Sequence, residues 1–120
     1  MTATIAKLVE SELATISDPD VVEVIRRFLV TPYPVERDWD YGQPGEKYIC
    51  WTVLEHRPSN TVIAYSKKKG FGPTAPWGIV FLSGEYMSIG MDSEWFAKLE
   101  DAVRGSCAWD LPNPPDYEVR

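Results

Sequence analysis

Three short runs in the middle of the chain constrain it most: Tyr48-Ile49-Cys50-Trp51-Thr52-Val53-Leu54, Thr61-Val62-Ile63-Ala64-Tyr65 and Gly78-Ile79-Val80-Phe81-Leu82. Each is rich in β-branched and aromatic residues, and turn-forming segments separate them. A chain carrying three such runs must bury them in a sheet. They are expected to be the central strands of one antiparallel sheet spanning 47–91. Lys47 to His56 is the first core strand; Ile49, Trp51 and Val53 are expected on one face, and Tyr48, Cys50, Thr52 and Leu54 on the other. Arg57-Pro58-Ser59-Asn60 turns the chain into Thr61 to Ser66. Met87 to Met91 is a fourth strand weakened by Gly90.

Helices are expected to flank this sheet. Ile5, Leu8, Val9, Leu13 and Ile16 recur at helical spacing across Thr4 to Ile16. Ser17 or Asp18 can cap a second helix over Pro19 to Leu29, because Pro19 is tolerated in a first turn. The two form a helical hairpin over 1–30. A third helix is expected over 92–105, capped by Asp92 or Ser93, striped by Trp95, Phe96, Leu99, Ala102 and Val103, with Glu94 and Lys98 spaced to pair, and stopped by Gly105. The tail, 106–120, is proline-rich and extended, docked by Trp109 and Leu111. The expected fold is α+β and a single domain, 1–120: an N-terminal helical hairpin, a central antiparallel sheet of about four strands and a C-terminal helix packed on the sheet.

Thr31 to Glu46 holds Pro32, Pro34 and Pro44 with Gly42 and Gly45, and is expected to be a loop. An edge strand remains open within Val35 to Tyr41, where charges alternate with aromatics. The plain expectation is a surface loop pinned by Tyr33, Trp39 and Tyr41; the functional alternative is a partner-binding loop.

Chemistry is hard to place. One histidine, His56, and two cysteines far apart in sequence cannot supply the ligands of a zinc site, so no metal and no cofactor is expected. Cys50 and His56 share a strand face but stand ~20 Å apart, beyond proton transfer. Gly70-Phe71-Gly72 follows Lys67-Lys68-Lys69 yet leads into a strand, so the helix N-terminus that phosphate loops use is missing. The carboxylates are numerous without forming a pair that sequence can recognise. The reading is therefore non-catalytic, on the condition that no nucleophile lies within hydrogen-bond reach of the lone imidazole.

Surfaces are more informative. With 12 basic and 18 acidic residues the net charge is −6, which disfavours nucleic acid and anionic membranes and suits a basic protein partner. Glu36, Asp38, Trp39, Asp40 and Tyr41 are the best candidates for contact with it, because charge steers and aromatics supply area. Phe71 and Trp77, on a Gly/Pro frame, are candidate aromatic anchors. The alternative is a small-ligand binder or small enzyme with an apolar pocket walled by Trp51, Tyr65 and Trp77. A third possibility is a subunit that assembles through an exposed edge strand; a monomer or weak homodimer is expected. The N-terminus shows no basic segment followed by an apolar block, no run is long enough to span a bilayer, and two cysteines make no disulfide framework. A cytoplasmic protein is the expectation.

Cys50-Trp51-Thr52-Val53-Leu54-Glu55-His56, Ile63-Ala64-Tyr65, Gly70-Phe71-Gly72-Pro73 and Pro76-Trp77-Gly78 resemble small uncharacterised bacterial proteins. In size, acidity and α+β make-up these are similar to the immunity proteins of toxin systems. The resemblance covers the middle and C-terminal two thirds of the chain and assigns no residue a role. It implies a stoichiometric inhibitor of a toxin domain, commonly a basic nuclease.

Overall fold

The structure, a computed structural model, describes residues 2–67, 74–85, 87–89 and 93–117. The elements in chain order are α1 (Thr2–Thr15), α2 (Pro19–Phe28), β1 (Leu29–Asp38), β2 (Lys47–His56), β3 (Thr61–Tyr65), β4 (Trp77–Phe81), β5 (Glu94–Phe96) and α3 (Leu99–Arg104), with a 3-10 turn at Arg57–Ser59. The strands form one antiparallel sheet in the order β1-β2-β3-β4-β5. The fold is α+β, as expected.

The two N-terminal helices form for the reasons their sequences suggest. Ile5, Val9 and Leu13 are the buried stripe of α1. Asp18 caps α2, its side chain accepting from the Asp20 N–H at 2.9 Å, with Pro19 in the first turn. Arg26 joins the helices through a two-pronged contact with Glu10 at 2.8 and 3.0 Å.

Several expectations are overturned. The expected loop at Thr31 to Glu46 is a strand up to Asp38, continuous with α2. Prolines are tolerated there because β1 is an edge. Alternate residues of an antiparallel strand turn their backbone groups to alternate sides. The Asp38 carbonyl accepts from Ile89 N–H at 2.9 Å, on the side away from β2. Pro34, four residues earlier, shares that side, so its missing N–H costs β2 no ladder bond.

The second correction concerns the expected helix from Asp92 or Ser93. Glu94–Phe96 pairs with β4 as a strand, and α3 begins only at Leu99, with Lys98 at its N-cap and no side-chain cap. Alternation places Trp95 and Phe96 on opposite sheet faces, where each finds cover: Phe96 joins the helix-side core and Trp95 the other. Ser93 instead accepts a hydrogen bond from Trp95 Nε1 at 2.8 Å. Glu94 and Lys98 therefore do not share a helix. Asp92 lies outside the described residues. Met87 to Met91 is likewise not a strand where it is described; Ile89 makes a single parallel bridge to Trp39.

The sheet is covered on both faces. On one, α1, α2 and α3 bury Ile5, Val9, Leu13, Val21, Val24, Ile25, Leu99, Ala102 and Val103 against Val53, Leu54, Ile63 and Trp77. A bulge makes this possible: the register steps from Thr52–Ala64 to Leu54–Ile63, so Val53 is an extra residue and both it and Leu54 reach the helix side. Leu54 thus leaves the face that strict alternation assigns to it. On the other face Cys50, Val62, Ala64, Val80 and Trp95 form a smaller core with Ile89, from the connection between β4 and β5. Trp95 lies directly over Gly78, where a Cβ would stand 2.6 Å from the indole ring.

The C-terminal tail is clasped to the helices. The Arg104 guanidinium donates to Asp18, Glu100 and Asn113 and lies between the rings of Trp109 and Tyr117, at 5.0 and 4.7 Å from their centres. The Tyr117 hydroxyl donates to Asp101. Trp109 docks half-buried, as expected, whereas Leu111 does not dock and stays 43% exposed.

Candidate functional site

Strand length creates the feature of interest. β1 and β2 have ten residues each, but β3 has five and pairs with β2 only from Trp51 to His56. Val35–Asp38 and Lys47–Cys50 therefore continue past the five-stranded sheet as a two-stranded ribbon, about 13 Å long at the usual rise. Such a ribbon is marginal alone.

Its back face is what holds it. Val35 pairs with Cys50 and Arg37 with Tyr48 in register, and these side chains share the face of the smaller core. Arg37 is 2% exposed; its guanidinium donates to the Met87 carbonyl at 3.0 Å, and its Nε has no hydrogen-bond partner among the described residues. Burial lowers its pKa from the ordinary arginine value. The same burial pushes the neighbouring Cys50 thiol up to about 11. Further along this face the Tyr33 hydroxyl donates to Glu55 at 2.5 Å.

The loop at the ribbon's tip is ordered by its backbone. Trp39 N–H donates to Glu46 C=O at 3.1 Å, Gly42 N–H to Trp39 C=O at 3.0 Å and Glu46 N–H to Gln43 C=O at 2.9 Å. Tyr41 stands edge-on to Trp39, ring centres 5.3 Å apart, and is 66% exposed. Gly42 is required by closeness: a Cβ there would sit 2.7 Å from both the Trp39 ring and the Glu46 carboxyl.

The front face, on the helix side, is open among the described residues. Pro34 pairs with Trp51, Glu36 with Ile49 and Asp38 with Lys47. Glu36, Asp38 and Lys47 are exposed, and Ile49 is 54% exposed.

The structure thus sorts the candidates that sequence suggested. Glu36, Asp38, Trp39, Asp40 and Tyr41 do come together on one arm. Glu36 and Asp38 belong to its front, Trp39 packs half-buried against the smaller core at its back, and Asp40 and Tyr41 stand exposed at the tip. Trp77 is a correction: it is 3% exposed and edge-on to Tyr65 at 5.0 Å, a core residue without an outer surface. Phe71 lies outside the described residues. Ile49 shares a face with Trp51 and Val53 as expected but, unlike Val53, is exposed. The signal for it lay in the unequal lengths of the first two core runs, which leave the start of the longer one without a neighbour.

The second suggested site shows little room. Trp51, Tyr65 and Trp77 pair in register on adjacent strands and pack as core. A cavity lined by Phe28, Leu54, His56, Ile63, Ser106 and Ala108 has a volume of about 10 Å³, the space of roughly one water. Beside it, His56 Nδ1 is 2.7 Å from Ser59 Oγ, and Ser59 Oγ is 2.7 Å from Thr61 Oγ1. The distance condition set for a nucleophile is therefore met, by a serine that sequence reasoning did not single out. The chemistry is another matter. Ser59 Oγ has one proton, which it donates to the His56 carbonyl at 3.2 Å, while His56 Nδ1 and Thr61 Oγ1 stand at hydrogen-bond distance on the same oxygen. An activated serine also needs its imidazole oriented through the other nitrogen. Here the contact on the ring is the edge of Phe28, centres 5.1 Å apart. The three hydroxyl and imidazole groups close a tight turn.

Among the described residues there is no cluster of three His, Cys, Asp or Glu placed to hold a metal, and no helix is long and apolar enough to cross a membrane. No protein-family model, curated protein or solved structure matches the chain.

Proposed function

We propose that this is a protein-binding module of the cytoplasm that uses the β1–β2 ribbon and its tip to hold a basic protein, in the manner of an immunity protein covering a toxin domain. One observation carries the reading. Glu36, Asp38, Asp40 and Tyr41 are exposed together on a single arm whose backbone is held by the Trp39–Glu46 bonds and by Arg37 and Ile89 at its back. An ordered arm loses little entropy when a partner docks, and its carboxylates steer a basic surface toward it.

The test is a pull-down from the native cell with the wild-type chain and with an Asp38→Lys, Asp40→Lys double variant as baits. One basic protein, encoded nearby, is expected with the wild type and not with the variant. An identical set on both baits, or a small metabolite alone, overturns the reading.

A second reading, a weak hydrolase, has the His56–Ser59 contact in its favour. Turnover of a p-nitrophenyl ester that disappears in Ser59→Ala and in His56→Gln, both still folded, would establish it in place of the first.

A further inference from the structure

Among the described residues three large apolar side chains are left exposed: Tyr41, Ile49 and Leu111. Two of them stand on the ribbon. Ile49 is the less expected, because it sits in mid-strand, where an aliphatic side chain is normally under cover. Its cross-strand partner is Glu36, and its neighbours along the same face are Trp51 on one side and Lys47, paired with Asp38, on the other. Pro34–Trp51 and Glu36–Ile49 share the backbone side that turns away from the ladder, where opposed side chains stand closest. The face is thus an apolar strip with carboxylates along one border.

Charge selects what can cover it. Residues 36–47 carry Glu36, Asp38, Asp40 and Glu46 against Arg37 and Lys47. Arg37 is turned to the back and buried, Asp40 stands at the tip and the Glu46 carboxylate accepts from the Tyr48 hydroxyl, so the front presents Glu36 and Asp38 against Lys47. A second copy of the chain would bring like charge to like. An apolar side chain flanked by lysine or arginine meets the strip and its border at once.

We propose that the front face of the ribbon, centred on Ile49 beside the half-buried Trp51 and bordered by Glu36 and Asp38, docks a protein segment in which an apolar side chain lies between basic residues. This rests on the protein-binding reading and adds to it a second contact surface, distinct from the tip. Ile49 is the anchor and Glu36 the residue that selects for the flanking positive charge.

The experiment uses a random peptide library displayed on phage, panned on the intact protein. The expected outcome is enrichment of peptides with an aromatic or aliphatic residue flanked by Lys or Arg, weakened at least tenfold by Ile49→Asp and by Glu36→Lys, and retained by Ile49→Val. Because Ile49 is exposed, the Ile49→Asp chain is expected to keep its unfolding midpoint, which is measured on the same samples. Enriched peptides without basic residues, or binding equally well to Ile49→Asp, overturn the proposal. So does a wild-type dimer in sedimentation that Ile49→Asp dissociates. If binding is lost on Tyr41→Ala and Asp40→Asn but kept by Ile49→Asp, the tip alone is the contact surface; the protein-binding reading survives and this inference fails.

Discussion

The body of the sheet and the ribbon that prolongs it are made from the same two strands, yet they meet opposite fates. In the body, β1 and β2 are two of five strands, with three helices on one face and the smaller core on the other. In the ribbon, among the described residues, the same strands have no third strand beside them and only the back is packed against a core. Composition does not distinguish the halves: Ile49, Trp51 and Val53 would pass for equal members of a buried stripe. Val53 is fully buried and Ile49 is 54% exposed. What separates them is where the neighbouring strand stops.

That contrast can be broken by measurement. Trp77→Ala, in the body, removes a large side chain packed against Tyr65 and is expected to cost about 3–5 kcal/mol in denaturant unfolding. A loss as small as that of a surface substitution would mean the body is not the tightly packed half. Gly78→Ala is next. Its Cβ would meet the Trp95 ring at 2.6 Å, and overpacking of this kind costs typically about 1–3 kcal/mol. Thermal unfolding should show the drop, and Gly78→Ala combined with Trp95→Leu should recover part of it.

Cys50 reports on the covered back of the ribbon. Burial raises its thiol from an ordinary 9.0 to about 11, so the folded chain keeps a proton that the unfolded chain gives up. Stability is expected to fall as pH rises from about 9 to about 11, and the contribution is constant below that window. In the native protein at pH 8 only the exposed Cys107 should react with a thiol reagent. Rapid reaction of both would mean the ribbon lifts from Ile89. The smallest expected effect is that of Ile49→Asp, within about 0.5 kcal/mol of wild type; a large loss would show that the front face is covered after all.

The sheet was legible because Val, Ile, Tyr and Trp cluster in runs whose lengths suit strands, and α1 and α2 because Ile5, Val9 and Leu13 repeat at helical spacing and Asp18-Pro19 marks a start. β1 was obscured by Pro32 and Pro34, which argue against a strand until the strand is known to be an edge. β5 was obscured by Trp95 and Phe96. Next to Leu99, Ala102 and Val103 they complete a helical stripe on paper, but tertiary burial of the two rings on opposite faces outweighs that local pattern. The acids and aromatics at 36–41 were found from composition, while their division between a front, a back and a tip depends on the register of Glu36 with Ile49 and of Arg37 with Tyr48. Sequence spacing does not contain that register.

Pro34 on the outward side of β1 has one more effect. A strand arriving from a neighbouring molecule would find no amide hydrogen at that position, and the end of the edge beyond it is already taken by Ile89. Runaway growth of cross-chain sheets is thereby stalled at the chain's longest free border, and whatever settles on this arm has to be chosen by its side chains, one at a time, instead of by backbone zippering that any extended peptide could perform.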